Sequence, residues 1–394
     1  MSQPKRPFSP TLLWLSIGFF FMFAGASQQQ FQSPFWSEAL HWPPVLRSFI
    51  LAVVYLTFGF WRLRIGWFIR RWGEKTVLLL GSSTYALFCL VVWQSTSFPV
   101  LLLAAAIWGW GGAANWGTSS VMVLDATRDQ RYGTSTGLFQ AASSIGFALG
   151  VVLLSRVYEA AQQLGPLGPR VVWLYAAIST IIGVLCLLRV PAREVEIDPP
   201  SLREQIAIMT SPKGAIGCVF LFLGGFGFGA MLGVLADNLA TAFPGGNRNY
   251  VAAFFPLAGF FANLFGGPLS DRIGRARAMF GTFTLAGVGL LLAWALPQSL
   301  TAMVVCALFL GFQSQLVPTL TTAMIGDSTH ASRRQNVYGA LFFWRDMGVA
   351  GALVFGQWLH QLKDIRSSLL AMAILTGSCA ALSLVLSKRA EEAM

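Results

Sequence analysis

The stretch GGPLSDRIGRAR, from Gly266 to Arg277, lies between two long apolar runs. It places four charged residues in a short turn: Asp271, Arg272, Arg275 and Arg277. Such a turn is typical of a hairpin that joins two membrane spans, because charged side chains are costly in hydrocarbon. Gly267 would let the two helices pack closely, and Gly274 would permit the tight turn. The stretch therefore predicts a loop between transmembrane helices, with its arginines on the cytoplasmic side.

Two sequence landmarks of the first half recur in the second half. The segment GWFIRRWGEK (66–75) repeats the spacing of the charged turn 201 residues earlier. The matching residues are Gly66, Arg71 and Gly73. The glycines that bound GLFQAASSIG (137–146) recur in GALFFWRDMG (339–348), at an offset of 202. Two landmarks at nearly one offset predict that the second half is a structural copy of the first.

The charged turn resembles the signature loop of the major facilitator superfamily. The residues that carry the resemblance are Gly267, Asp271, Arg272, Gly274 and Arg275. The resemblance covers essentially the whole chain and extends to no subfamily. It implies an all-α integral membrane protein with twelve transmembrane helices, in two pseudo-symmetric six-helix halves around a central cavity. It also implies that spans 1, 4, 7 and 10 line the cavity, with help from spans 2, 5, 8 and 11.

Composition agrees with this fold. The chain is 55% hydrophobic and 11% charged, with a net charge of +11. If the N-terminus is cytoplasmic, 20 of the 27 Lys and Arg residues fall on the inner side, six fall outside, and one, Arg345, lies within a span. This asymmetry follows the positive-inside rule, so the basic excess indicates topology rather than a nucleic-acid partner. We predict a multi-pass protein of the plasma (cytoplasmic) membrane with both termini in the cytoplasm.

The apolar runs predict a division into two halves and a linker. The predicted spans are 11–31, 45–66, 76–95, 98–123, 134–157, 171–190, 215–238, 249–270, 278–296, 299–325, 338–360 and 367–387. Residues 1–190 then form the N-terminal half, 191–214 a cytoplasmic linker and 215–394 the C-terminal half. In the linker, the capping-box spacing of Ser201 and Glu204 predicts a short interfacial helix.

Arg345 and Asp346 are the clearest candidates for a transport site. They lie about 12 Å into predicted span 11 at 1.5 Å per residue, and charges at that depth are costly. Neighbouring side chains on a helix point about 100° apart, so we expect each to reach a different partner. One interpretation is a site for a substrate anion or a proton, and the other is an internal ion pair that holds helices together.

Uncharged polar side chains within spans are further candidates. For substrate or coupling they are Gln28, Gln29, Asn115, Trp116, Gln140, Asn263, Gln313 and Gln315. The alternative for the amides is hydrogen bonding between helices, and for Trp116 it is packing. Two acids near outer span ends, Asp237 and Glu38, could couple transport to an ion, but we expect them to be solvated at the outer surface.

The resemblance also implies a latch in which the signature loops contact acids at the inner ends of spans 4 and 10. Those acids are Asp125 and Asp327, close to Arg128 and Arg333 in the chain. The first-half loop departs from the family pattern, because Arg70 stands where an aspartate is usual. This departure predicts an asymmetric latch. The predicted gating residues are Gly66, Arg70, Arg71, Gly73, Asp125, Gly267, Asp271, Arg272, Gly274, Arg275 and Asp327.

These features predict a secondary active transporter that moves a small organic solute, with an anion as one option, by alternating access. Coupling to protons or Na+, as symport or antiport, is expected. A proton-driven drug or metabolite efflux antiporter and a non-transporting membrane receptor on the same scaffold remain alternatives. The sequence shows no nucleophile–base pair or metal-ligand spacing, so we expect no enzymatic activity, cofactor or metal. We expect contacts with membrane lipid, no binding of nucleic acid, and a monomeric protein.

Overall fold

The computed structural model describes residues 9–127, 131–192, 201–243 and 247–392, and it is helical throughout these ranges apart from short connections. Twelve of its helices are long and apolar enough to cross a membrane. These spans, numbered 1 to 12, are Pro10–Leu40, Pro44–Arg62, Glu74–Gln94, Phe98–Ala126, Tyr132–Leu164, Gly168–Leu187, Pro212–Leu239, Val251–Ile273, Arg275–Ala295, Leu300–Ser328, Ala331–Leu362 and Ile365–Val385. The all-helical, twelve-span architecture that the sequence predicts is therefore confirmed.

Span 1 departs most from its predicted bounds. It was expected to end at residue 31 and instead continues to Leu40, after a break between Ala26 and Gln29. The glutamines Gln28, Gln29, Gln30 and Gln32 lie at and just after this break and are buried inside the bundle. Gln29 and Gln28 accept hydrogen bonds from Tyr55 and Trp173, which lowers the cost of burying their amides.

The two halves repeat each other in local detail. Ser9 and Ser211, which are 202 residues apart, each precede a proline and cap the first span of a half. In both cases the serine Oγ accepts a hydrogen bond from the backbone N–H three residues on. Gly73 and Gly274, 201 residues apart, have φ of 81° and 90° and each makes the turn of a signature loop. Only glycine adopts such angles without strain, so the two loops turn in the same way.

The halves meet along two helix pairs, span 2 with span 11 and span 5 with span 8. Glycines allow the second pair to approach closely. A side chain on Gly137 would collide with the carbonyl oxygen of Asn263, and one on Gly267 would collide with that of Gly133. Small residues at such contacts bring helix backbones together, as expected for Gly267. We call the end that carries the two signature loops the inner end, and the opposite end the outer end.

Two short helices lie outside the spans at the inner end. The loop helix Ile65–Trp72 joins spans 2 and 3, and the linker helix Leu202–Thr210 lies between the halves. Gln205 of the linker helix donates to the backbone oxygen of Leu63 in the first half, at 3.1 Å. Its neighbour Glu204 pairs with Arg333 in the second half, at 2.5 Å. The linker helix thus contacts both halves.

Candidate substrate cavity and gates

A cavity lies at the centre of the bundle, between the two halves. Its wall is mainly aromatic and comprises Phe23, Tyr55, Phe58, Tyr85, Trp108, Trp116, Phe147, Phe228, Phe255, Tyr338 and Phe342. Its polar lining comprises Gln29, Arg62, Gln140, Ser143, Ser144, Gln315 and Arg345. Rings of this kind offer large apolar contacts and stacking faces, while the few polar groups orient a bound molecule.

Three charged side chains meet at the inner side of this cavity. Asp346 is fully buried, and its carboxylate accepts a short hydrogen bond from Arg62 Nε. Arg345 Nη1 lies 3.3 Å from Asp346 Oδ1. Both arginines stay ionised, so this cluster of two cations and one anion carries a net positive charge. A buried charge without a full counter-charge is costly, and an anionic ligand would remove that cost.

The expectation that Arg345 and Asp346 reach different partners is only half right. Asp346 pairs with Arg62 of span 2, as expected, but Arg345 pairs with Asp346 as well. Sequence reasoning missed Arg62 because it counted this residue among the cytoplasmic charges. Arg62 is only 3% exposed, since the rings of Phe58 and Tyr338 stand 4.2 Å and 5.3 Å from its guanidinium carbon. Its place inside the predicted span 45–66 was the available signal.

Span 11 begins earlier than the sequence predicted. Its helix starts at Arg334 rather than at residue 338, which puts Arg345 eleven residues, or about 17 Å at 1.5 Å per residue, from the helix start. Arg62, which contacts Asp346, is the last residue of span 2, so the cluster lies toward the inner end.

Four of the uncharged candidates line the cavity: Gln29, Trp116, Gln140 and Gln315. The Oε1 atom of Gln29 accepts a hydrogen bond of 2.9 Å from the Tyr55 hydroxyl. The rings of Trp116 and Phe23 meet edge to face with their centres 5.1 Å apart. These side chains come from both halves, so a ligand in the cavity would contact both.

The other four candidates, Gln28, Asn115, Asn263 and Gln313, do not line it. Gln28 Oε1 accepts from the Trp173 indole at 2.8 Å, and Asn115 Nδ2 donates to Ser82 Oγ at 2.6 Å. These bonds join different spans within the first half.

The two candidates from the second half, Asn263 and Gln313, likewise form hydrogen bonds between different spans of their own half. Thr319 donates to Asn263 Oδ1 at 2.6 Å, and Gln313 Nε2 donates to the backbone oxygen of Leu223 at 3.1 Å. For all four of these amides, interhelical hydrogen bonding is the role that the geometry supports.

The expectation that Asp237, near the outer end of span 7, is solvated is wrong. Asp237 is 6% exposed rather than solvated, whereas Glu38 is exposed as expected. The Asp237 carboxylate accepts hydrogen bonds from Ser33 Oγ at 2.6 Å and Gln357 Nε2 at 2.7 Å. Arg47 Nη2 lies 3.3 Å away and completes an ion pair. Because Ser33 and Arg47 belong to the first half, this outer network ties the two halves together.

At the inner end, the second-half signature loop is linked to its neighbours. Asp271 Oδ1 pairs with Arg275 at 2.7 Å, and the same guanidinium reaches Asp327 Oδ2 at 3.1 Å. Thr134, at the start of span 5, donates to Asp271 Oδ2 at 3.3 Å. The loop therefore connects span 10 of its own half with the first half. Arg272 is exposed beside it.

Within the described residues, Asp125 contacts span 11 rather than the first-half loop. That carboxylate pairs at 2.6 Å with Arg334 Nη1, at the start of span 11. The neighbour that the sequence suggested, Arg128, lies outside the described residues. Arg70 and Arg71 are both exposed, and no described carboxylate lies within ion-pair distance of either. The inner contacts thus differ between the two halves.

Comparison with known proteins agrees with this architecture. A family model described as Major Facilitator Superfamily matches residues 13–245 and 214–393. A probable 4-methylmuconolactone transporter of Cupriavidus pinatubonensis is 23% identical over 220 residues, which are 50% of this chain and 49% of that protein. The match thus spans about half the length of that relative.

Two solved structures share the fold. The crystal structure of the human organic anion transporter MFSD10 (TETRAN) has a TM-score of 0.74 and 16% identity, covering 97% of this chain and 100% of that one. That of the transporter FucP in the outward conformation has a TM-score of 0.71 and 13% identity, covering 95% and 98%. The family match extends over both halves of the chain. This chain therefore belongs to the Major Facilitator Superfamily of membrane transporters.

Proposed function

We propose that the protein transports a small organic anion, with a carboxylate and an apolar or aromatic body, by alternating access. The observation that carries this proposal is the charge of the central cluster. Arg62 and Arg345 share one carboxylate, that of Asp346, inside an aromatic cavity. A substrate carboxylate supplies the missing negative charge, while its body packs against the rings.

Arg345 is the arginine that receives the substrate. Its side chain is 15% exposed and lines the cavity, whereas that of Arg62 is 2% exposed and enclosed by rings. The planar guanidinium can donate two parallel hydrogen bonds to a carboxylate. The amides of Gln29, Gln140 and Gln315 then contact the remaining polar atoms of the substrate.

The names of similar proteins support the same solute class. The curated relative is named as a probable transporter of 4-methylmuconolactone, and one structural neighbour is titled an organic anion transporter. Both names describe organic solutes, and the second specifies an anion.

Two ion pairs on span 2 suit the two gates of such a transporter. Arg47 joins Asp237 at the outer end, and Arg62 joins Asp346 on the inner side of the cavity. The arginines are 15 residues apart, or about 22 Å along a helix. We assign the outer pair to a gate that breaks when the cavity opens outward, and the inner pair to one that breaks when it opens inward. Both ion pairs are formed in this structure.

The halves, residues 1–190 and 215–394, would then rock about the linker 191–214. The excess of Lys and Arg at the inner end supports a plasma-membrane orientation with that end, and both termini, in the cytoplasm. The inner contacts of Asp271, Arg275 and Asp327 would brace this end while the cavity faces outward.

We assign the coupling ion as a proton carried by Asp346, the carboxylate that both arginines share. A bound monocarboxylate first brings the cluster to zero net charge, and its carboxylate then takes the place of the Asp346 carboxylate, which binds the proton. Protonation of Asp346 frees both guanidinium groups for the substrate. This arrangement predicts that anion and proton move together, as symport.

The test is uptake into liposomes that contain the purified full chain. The probes are labelled benzoate and cinnamate, each paired with its neutral amide. The acids are expected to enter faster than the amides, and Arg345→Lys is expected to reduce acid uptake about tenfold, because the ammonium loses the two-pronged contact. Arg156→Lys, at an exposed outer position, is the matched control. Equal rates for acids and amides, or no acid uptake at all, would refute the proposal.

Asp346→Asn tests the coupling separately. After subtraction of the uptake by protein-free liposomes, which benzoic acid enters unaided, it is expected to abolish accumulation driven by a pH gradient while exchange of internal for external benzoate continues, because asparagine binds no proton. Undiminished accumulation in this variant would exclude Asp346 as the proton carrier and leave the solute assignment untouched.

A further inference from the structure

The loop helix Ile65–Trp72 carries a basic, tryptophan-rich face that the transport mechanism does not use. Its buried side consists of Ile65, Gly66 and Ile69. The opposite side, here called the loop-helix face, is exposed and consists of Arg64, Trp67, Arg70, Arg71 and Trp72. The Trp67 and Trp72 side chains are 54% and 43% exposed. Tryptophan side chains that are this exposed indicate a surface that contacts another molecule rather than bulk water.

The positive charges of this face have no ion-pair partner among the residues that the structure describes. In the equivalent loop of the second half, Asp271 pairs with Arg275. In the first half Arg70 stands at the position of that aspartate, so the pair cannot form, and Asp125 pairs with Arg334 of span 11. Within the described ranges, no carboxylate is in ion-pair contact with Arg64, Arg70 or Arg71.

The aromatic part of the face is held in a fixed position. The Phe68 ring lies 5.0 Å from that of Trp72 and 5.6 Å from that of Trp110 in span 4, between ring centres. The helix begins three residues after the end of span 2, whose Phe60 side chain is 61% exposed. The face therefore lies where the hydrocarbon ends, which is the depth at which tryptophan is enriched in membrane proteins.

We propose that the loop-helix face binds the headgroup of an anionic phospholipid. Guanidinium groups donate paired hydrogen bonds to phosphate oxygens, and Arg70 and Arg71 lie one turn beyond Trp67 on the same helix. The indole rings contact the glycerol and upper acyl region, and the basic groups attract an anionic lipid over a zwitterionic one. Charge complementarity and depth in the membrane select this partner over a soluble one.

Native mass spectrometry of the purified full chain, titrated with dioctanoyl phosphatidylglycerol, tests the site. The wild type is expected to bind this lipid more tightly than dioctanoyl phosphatidylcholine. The double variant Arg70→Gln, Arg71→Gln is expected to bind it about 25-fold more weakly, at about fivefold per arginine. The matched control is Lys363→Gln with Arg366→Gln, which removes two exposed charges at the outer end.

Equal weakening in both double variants would show a general effect of net charge and overturn the site. Unchanged affinity in the Arg70, Arg71 variant would overturn it as well. Inorganic phosphate is added at the concentration of phosphatidylglycerol that saturates the site. If it displaces the lipid, the site binds free phosphate and the lipid assignment is overturned. Trp67→Ala is expected to weaken phosphatidylglycerol binding with both charges in place. None of these measurements uses a transported solute, so their failure would leave the proposed function standing.

Discussion

Asp237→Asn is expected to weaken the outer gate strongly. Among the described residues, the carboxylate accepts hydrogen bonds from Ser33, Arg47 and Gln357. Asparagine can turn its oxygen to Arg47 and Gln357 and its NH₂ group to Ser33 Oγ, but it removes the negative charge that pairs with the buried Arg47. Removing one partner of a buried ion pair costs about 3 to 5 kcal/mol, so the closed outer end loses at least about 3 kcal/mol. That shifts the balance between closed and open outer ends about 100-fold toward opening.

Distance measurements between spin labels report this shift without any substrate. The labels are placed at Leu164→Cys and Leu362→Cys, which are 76% and 60% exposed at the outer ends of the first and second halves. The five native cysteines are replaced first; four are buried and Cys186 is half-buried. A longer-distance population is expected to dominate in Asp237→Asn and to appear also in Arg47→Gln.

Glu159→Gln is the matched control, because Glu159 pairs with Arg156 within span 5 at 3.7 Å and joins no two halves. Its distance distribution is expected to equal that of the wild type. If Asp237→Asn and Arg47→Gln also leave the distribution unchanged, the outer network is a packing contact and the reasoning fails.

Three further changes test the inner side. Gly225→Ala is expected to lower the melting temperature in a thermal-shift assay, because the methyl group of the alanine would collide with the backbone oxygen of Arg345. An unchanged melting temperature would show that spans 7 and 11 can separate freely. Asp271→Asn is expected to slow benzoate uptake while the Kd for benzoate stays the same, since the residue lies outside the cavity; wild-type uptake would remove it from the gate. Arg62→Gln is expected to cost about 1.5 to 3 kcal/mol of stability, because Asp346 loses the hydrogen bond from Arg62 Nε while its ion pair with Arg345 remains; denaturant titration in detergent measures this, and a loss below about 1 kcal/mol would contradict it.

The features that were predicted from sequence are those encoded locally. Twenty-residue apolar runs specify spans wherever they occur, because the backbone in hydrocarbon must satisfy its own hydrogen bonds. Gly73 and Gly274 mark the two loop turns, since their positive φ values are open to few other residues. The 202-residue offset then relates the halves without any knowledge of contacts.

Contacts between distant parts of the chain account for what was missed. Arg62 and Asp346 are 284 residues apart, and Arg47 and Asp237 are 190 apart. No local period couples such positions, so Arg62 and Asp237 were both assigned to solvent. Only the packing of span 2 against spans 7 and 11 places each arginine beside its aspartate.

The amides show the same division. Sequence placed Gln28 and Gln29 together as polar residues within a span, and both are buried. A helix turns about 100° per residue, so Gln29 faces the cavity while Gln28 meets Trp173 of span 6. The sequence determines that the membrane interior contains polar groups and where along each span they lie. Which of them face a substrate depends on the rotation of each helix, and that rotation is set only by how the twelve spans pack together.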